Sequence, residues 1–376
     1  MREEMTSYSR IAIVGGGPGG LLLARLLQLR GLEATVFERD AHADERPQGG
    51  SLDLHAGTGQ RAMRLAELEA EFSAAARPED QGDRLYDQSG TLLFDRDGSG
   101  DDRPEIDRSA LRQILLDALK PGVVRWNSKV DQIVPAACGG HHLSVAGGRE
   151  TYDLVVGADG AWSRVRALLT NAVPRYEGVS LVEFGLDARR HTGVATLVGN
   201  GKMFAAGDGR LLIGQRNGHD HIRAYAGLRL PEEVGAAWAR WPEQQVRAAL
   251  RRAFEGWAQA LTCIIDQGAF HAVRPLYALP IGLRWQSRPG LTLLGDAAHL
   301  MSPFSGEGVN LALADAVDLA DAIATGGGWP AIEAYEAAIR ERAIPAAEGA
   351  SEGLTTSFAP NATAAILEHY RERAQP

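Results

Sequence analysis

The sequence predicts an α/β protein: a Rossmann-like domain built on a parallel sheet, an inserted and largely antiparallel β-sheet domain, and a C-terminal helix. Three observations predict it. The β-branched run Ile11–Val14 enters a glycine-rich turn, Gly15–Gly20, and then an apolar segment. From about Pro174 to Trp285, strand-like runs alternate with Gly- and Asn-rich turns. The buried-strand pattern of the first half then returns at Leu291–Leu294 and ends in Gly295-Asp296. Residues 1–173 and 286–328 therefore read as one discontinuous domain, 174–285 as the inserted sheet domain, and 329–376 as a C-terminal helical segment.

The elements follow in order. Ile11–Val14 has no polar position and reads as a buried strand. Leu21–Arg30 is apolar on most faces and is closed by Gly31, the residue type that ends helices. Leu32–Phe37 is a second strand ending in Glu38, which completes a β-α-β unit. Ala62–Ala75 reads as a helix and Arg84–Phe94 as a hairpin turning at Gln88-Ser89-Gly90. Arg108–Ala118 is an amphipathic helix, and Asp153–Val156 is a strand running into Gly157-Ala158-Asp159-Gly160. In the inserted domain, Arg210–Gln215 and Ile222–Leu230 read as strands and Pro242–Trp257 as a helix. A helix over roughly Gly308–Thr325 follows the last strand, and the chain from Trp329 onward is helical with charged faces. There is no repeat of about 20–50 residues and no low-complexity tract.

Composition narrows the class. With 39 basic and 48 acidic residues the formal charge is −9, which argues against nucleic acid or an anionic membrane as partner. Cys138 and Cys263 have no CxxC spacing and cannot make a disulfide framework. The densest apolar run, Leu21–Leu27, is interrupted by Arg25 and falls short of the roughly 18 residues a membrane span needs. The polar start MREEMTSYSR has no hydrophobic signal region. We expect a cytoplasmic protein with no integral membrane association. The oligomeric state is not written in the sequence.

The turn Gly15-x-Gly17-x-x-Gly20 sits between a strand and a helix. The first glycine permits a tight turn, the second admits a pyrophosphate close to the backbone, and the third allows close helix–strand packing. The pyrophosphate would rest on the helix N-terminus. Glu38 would accept the adenosine ribose hydroxyls, and Arg39 would lie along the adenine. This unit alone does not separate NAD from FAD.

Two further strings favour FAD. Gly157–Arg166 (GADGAWSRVR) follows one strand, and Gly295-Asp296-Ala297-Ala298-His299 follows another. Asp296 ends its strand at the carboxyl edge, where a carboxylate suits a polyol such as the ribityl chain. The turn Gly306-Glu307-Gly308-Val309-Asn310 then brings a second helix N-terminus to the site. Its dipole would stabilise the anion of reduced flavin.

In this order the three motifs resemble the FAD-dependent class A aromatic hydroxylases. The resemblance implies a GR2-type FAD domain joined to a β-sheet substrate domain. Gly49–His55 (GGSLDLH) and Arg103–Arg112 (RPEIDRSALR), with the overall length, are similar to the tetracycline-inactivating (TetX-like) monooxygenases. That likeness runs over most of the chain. It implies that Arg112 contacts the FAD and that Arg39 and Asp53 lie near it. The cofactor set is then Gly15, Gly17, Gly20, Glu38, Arg39, Asp53, Arg112, Asp159, Asp296, Gly306, Gly308, Val309 and Asn310.

The same resemblance implies the chemistry. NADPH or NADH docks transiently and reduces the flavin, since no second Gly-x-Gly-x-x-Gly is present to hold it. Oxygen then forms a C4a-hydroperoxide, which hydroxylates an aromatic or polyketide-like small molecule, tetracycline-type compounds included. Pro303 and Phe304 would wall the pocket near flavin C4a, and no catalytic acid or base is assigned. Thr196 and Tyr225 fall near the tetracycline-contacting positions of the relatives, and Arg216 and Tyr225 lie on the sheet. These three are the candidate substrate contacts. Two departures stand out. Ser302-Pro303 replaces a Pro-Pro pair, and Glu307 puts a carboxylate beside an anionic flavin, so Glu307 should point away or be screened. Two other readings stay open: a reductase or dehydrogenase that inserts no oxygen, and a non-catalytic flavin- or ligand-binding protein.

Other features are set aside. Gly218-His219-Asp220-His221 fits no common zinc spacing and reads as a solvated hairpin tip, so no metal is expected. His299 reads as packing beside the flavin loop. Trp238 and Trp241 match a halogenase motif only superficially.

Overall fold

The computed structural model describes residues 8–45, 49–98, 102–137 and 139–373. The segments 1–7, 46–48, 99–101 and 374–376 and Cys138 lie outside the described residues, so the expectations for the N-terminal start and for Cys138 find no counterpart here.

Five parallel strands make the first sheet, in the spatial order Leu291–Leu293, Leu154–Gly157, Ile11–Val14, Ala34–Phe37, Val124–Arg125. Ile11–Val14 is buried along its whole length, as its unbroken apolar sequence requires. Parallel pairing puts every strand's carboxyl end on one edge. Gly15, Glu38, Ala158-Asp159 and Gly295-Asp296 therefore line that edge together. The helix Pro18–Leu29 packs against the helix Gly308–Ala324, closely enough that a Cβ on Gly19 would lie 3.1 Å from the Ala312 carbonyl oxygen. Between Val124–Arg125 and Leu154–Gly157 the chain makes an antiparallel meander, Val130–Pro135, His141–Val145 and Gly148–Tyr152, which the sequence reading did not anticipate.

The second sheet has seven strands, in the order Ala269–Ala278, Arg175–Asp187, His221–Arg229, Arg210–Arg216, Gly201–Gly207, Gly82–Tyr86, Leu92–Arg96. All neighbours are antiparallel except Gly201–Gly207 with Gly82–Tyr86. The hairpin Gly82–Arg96 precedes residue 174 in sequence yet is hydrogen-bonded into this sheet. One sheet face buries Val182, Phe184, Met203, Leu212 and Ala226 under the helices Thr192–Val198, Glu232–Trp238, Glu243–Ala253 and Gln259–Gln267. The other face buries Leu181, Ala206 and Leu211 against Leu354, Phe358 and Ala362.

Several elements differ from expectation. The helix foreseen over Ala62–Ala75 is two, Arg61–Leu65 and Glu69–Ala75, broken where Glu67 turns left-handed at φ 61°. The C-terminal helix is also two, Gly328–Ser357 and Ala362–Arg373. Pro360 stands in the break, where it forfeits no helical hydrogen bond. The helix foreseen to Trp257 ends at Ala253, before Gly256 at φ 84°. No helix among the described residues is long and apolar enough to cross a membrane.

Candidate cofactor and substrate site

The glycine turn divides its labour as its spacing implies. Gly15 stands at φ 111°, and a Cβ there would collide with the Ala158 carbonyl. A Cβ on Gly20 would strike the Gly15 carbonyl, so this glycine sets the helix against the strand. Gly17 differs: it has an ordinary φ of −80°, and a Cβ would meet nothing within 4 Å. The second glycine faces open space at a helix N-terminus, which is the space a pyrophosphate would fill.

Glu38 is buried, and its carboxylate accepts from Gly16 N at 2.7 Å and from Asp40 N at 3.0 Å. Each oxygen keeps a lone pair for a ribose hydroxyl. Arg39 is exposed beside it. Arg112 is buried against the turn. Its Nε donates to Gly16 O at 3.2 Å, its Nη1 donates to Ala43 O at 2.6 Å, and its guanidinium stands 5.3 Å from the Trp126 ring centroid.

Asp159 Oδ2 accepts from Arg164 N at 2.7 Å, while Oδ1 is buried without a partner. Asp296 is open to solvent yet sits deep among protein atoms. That burial raises its pKa, against the opposing pull of His299, Arg108 and Arg166. Solvent access at such depth describes a carboxylate lining a recess. Arg166, which the sequence reading left out of the site, ties its two walls. It donates to Ala297 O at 3.0 Å and to Ala161 O at 2.6 Å.

The second helix N-terminus is built as foreseen, with one reassignment. Gly306 takes a left-handed φ of 71°, and Gly308 begins the helix with open space where a Cβ would stand. Val309 packs its side chain partly into the core, which leaves its backbone for an anion. Asn310 is fully buried, and its side chain is spent on the protein. Its Oδ1 accepts from His55 N at 2.9 Å and Thr58 Oγ1 at 3.2 Å, and its Nδ2 donates to Asp53 O at 2.9 Å. It pins the segment 53–59 to the helix, so only its backbone N–H is left for a cofactor.

Asp53 lies beside this turn, and the sequence reading missed its neighbour. His55 sits between two carboxylates, with Nε2 3.5 Å from Asp53 Oδ2 and Nδ1 3.4 Å from Glu307 Oε1. The two carboxylates, Asp53 first and then Glu307, favour the imidazolium by more than burial opposes it and push its pKa up to about 9. Burial raises the Asp53 carboxyl, but His55 and Lys202 bring it below its ordinary value. The group nearest Glu307, which the sequence reading expected to point away or be screened, is thus His55.

The large sheet corrects two substrate assignments. Alternation along its strands sends Phe204, Ile213, Gln215, Arg223 and Tyr225 to one face and Met203, Leu212, Ala224 and Ala226 to the other. The first face meets the nucleotide domain. A Cβ on Gly50 would lie 3.4 Å from Tyr225 Oη, and Gln215 donates to Glu105 at 3.2 Å. Tyr225 is thus on the cleft side. Arg216 points the opposite way, where its Nε donates to Gly199 O at 2.6 Å at the end of the helix Thr192–Val198. Thr196 is exposed on that helix, and its hydroxyl donates to Thr192 O at 2.9 Å. Arg216 misses the cleft because one residue of strand register decides the face, and Thr196 because its helix covers that opposite face. Phe304 packs edge-on to Phe358 at 5.9 Å, next to the apolar cleft face, and Pro303 is exposed. Among the described residues no cluster of three or more His, Cys, Asp or Glu could hold a metal, and His219 and Asp220 form a left-handed hairpin tip.

A parallel sheet with two helix N-termini and an accessible carboxylate at its carboxyl edge, faced by a β-sheet platform, is the architecture of a dinucleotide-binding protein. A family model described as FAD binding domain matches residues 8–344, and the chain belongs to this family of FAD-dependent monooxygenases. It is 32% identical to monooxygenase asqM of Emericella nidulans, over 94% of this chain and 96% of that protein. Among solved structures it resembles Klebsiella pneumoniae HpxO complexed with FAD and uric acid (TM-score 0.80, 20% identity, 96% of this chain and 92% of that one). It also resembles the tetracycline destructase Tet(51) (TM-score 0.75, 19% identity, 97% and 95%).

Proposed function

We propose that the chain takes reducing equivalents from NADPH or NADH and inserts one atom of O2 into an aromatic or polyketide-like small molecule, in the cytoplasm where reduced nicotinamide is made. One observation carries the reading: Gly17 and Gly308 leave open space at two helix N-termini, Asp296 stands accessible at the carboxyl edge of the parallel sheet, and Gly50 of the same half meets Tyr225 on the large sheet. The residues fit FAD, since two glycines leave its space open and Asp159 Oδ1 is buried without a polar partner.

Bound FAD would supply hydride acceptance and oxygen activation. The chain supplies position and charge. The N-terminus of the helix Pro18–Leu29 would hold the pyrophosphate, and Glu38 the ribose. Asp296 would bind the ribityl hydroxyls, and the N–H groups at Gly308–Asn310 would face the flavin's developing negative charge. The apolar sheet face excludes water from the reacting carbon, and Tyr225 offers it a hydroxyl.

The test is purification followed by a panel of anhydrotetracycline, tetracycline, anthraquinones and simple phenols. At least one compound should accelerate NADPH or NADH oxidation and leave with one labelled oxygen from 18O2. Reduced nicotinamide consumed with no label in any product would instead make the chain a reductase. The tetracycline-inactivating subgroup is settled by the first two compounds.

A further inference from the structure

We infer that His55 is the charge-balancing group of the cofactor site: clamped between Asp53 and Glu307 at the head of the helix Gly308–Ala324, it keeps that helix end attractive to the reduced, anionic flavin. The inference rests on the FAD site proposed above.

A carboxylate at the N-cap of a helix that must receive an anion is a liability, because Glu307 cancels much of the helix's own positive end. Asp53, on the neighbouring strand, adds a second negative charge. Among the described residues the group placed between them is His55, at 3.5 Å and 3.4 Å. Its position is fixed by Asn310, which takes the His55 backbone N–H and the Asp53 carbonyl with one side chain.

The surrounding charges leave this trio as the local unit. Lys202, from the large sheet, pairs with Glu105 at 3.7 Å and acts on His55 only through its pull on Asp53. Asp102 and Arg103, on the segment paired beside residues 54–56, bind each other at 3.6 Å. With His55 protonated, the trio carries one net negative charge; with His55 neutral it carries two. The imidazolium holds up to about pH 9, so it is present at neutral pH.

The experiment measures the midpoint potential of bound FAD against pH in the holoprotein, with His55→Gln and Glu307→Gln. His55→Gln should shift the affinity ratio at least tenfold toward oxidised FAD, a potential lower by about 30 mV. Glu307→Gln should move it the other way. Wild type should show an added fall above about pH 9 that His55→Gln lacks. The imidazole is also titrated by NMR in the flavin-free chain, which needs no variant to fold. A potential unmoved in both variants, or a His55 midpoint at or below that of an ordinary histidine, overturns the inference. A chain that takes up no FAD overturns the proposed function with it, whereas bound FAD with an unmoved potential overturns this inference alone.

Discussion

His299 Nε2 lies 2.6 Å from Asp315 Oδ2, and this contact fastens the Gly295-Asp296 turn to the middle of the helix Gly308–Ala324. Asp315 is fully buried, and it also accepts from Gly295 N at 2.9 Å and from Arg342 Nη2 at 2.9 Å. Burial pushes its pKa up, but His299, Gly295 and Arg342 hold it below its ordinary value. Burial lowers the His299 pKa, but Asp315 raises it further. Removing one member strands the others, so Asp315→Ala should lose about 3–5 kcal/mol. Denaturant unfolding of the FAD-free chain measures it, and a loss under about 1 kcal/mol would mean the network is solvated.

The same pair sets a pH window. A depressed carboxylate contributes stability that is present above its ordinary pKa and disappears as acid protonates it in the folded state. A raised histidine contributes below its ordinary pKa and ceases to do so as alkali removes its proton. Unfolding free energy should therefore fall at both ends. His299→Gln should flatten the alkaline limb and also weaken the acid limb, because His299 helps hold Asp315 down, with Gly295 and Arg342 preserving the remainder; urea midpoints across pH read both.

The first two roles of the glycine turn separate by mutation. Gly15→Ala forces a side chain into a left-handed backbone and onto the Ala158 carbonyl, so the fold itself should suffer, by more than about 2 kcal/mol. Gly17→Ala meets no protein atom, so FAD-free stability should change by less than about 0.5 kcal/mol. Its Cβ occupies the pyrophosphate space, so FAD affinity should drop about tenfold or more. Thermal melts with and without FAD compare the two. Gly17→Ala with undiminished affinity would move the pyrophosphate elsewhere.

Asp296 carries a raised pKa, so its ionised form works against folding at neutral pH, and acid relieves that cost. Asp296→Asn should leave the FAD-free chain as stable as wild type or more so, yet weaken FAD retention. His219→Ala, at the hairpin tip, should change neither. Flavin content after dialysis reports retention, and equal content in both variants would displace the cofactor from this edge.

The nucleotide half was legible because its signals are local. A buried strand, a glycine turn and a helix succeed one another within Ile11–Leu29, and parallel pairing then brings distant strand ends to one edge. Glu307 beside an anion was legible as a conflict, but its resolution by His55 was not, since the two are joined only by the packing of residues 53–59 on the second helix. Asp315 was readable in principle, as an acid set among Leu313, Ala314, Ala316 and Val317. The hairpin Gly82–Arg96 could not be assigned to the large sheet from sequence, because its partner strand lies more than 100 residues on. For the sheet face, alternation defines two faces but does not say which one meets the cofactor.

That last ambiguity yields the sharpest comparison, between Arg216 and Tyr225. Both stand on neighbouring strands of the same sheet, in the paired segments Arg210–Arg216 and His221–Arg229. Arg216 binds the Gly199 carbonyl on the helix-covered face, while Tyr225 lies on the cleft face, where burial raises its pKa and keeps it a neutral donor. Arg216→Ala should therefore cost about 1 kcal/mol of stability through the lost helix-end bond and leave kcat/KM for an accepted substrate within about twofold. Tyr225→Phe removes only a hydroxyl that faces the cleft. It should leave stability within about 1 kcal/mol but raise KM or lower kcat severalfold. Steady-state kinetics beside denaturant melts decide between them. If Arg216→Ala damaged turnover in a stable protein while Tyr225→Phe did not, the substrate would bind against the opposite face.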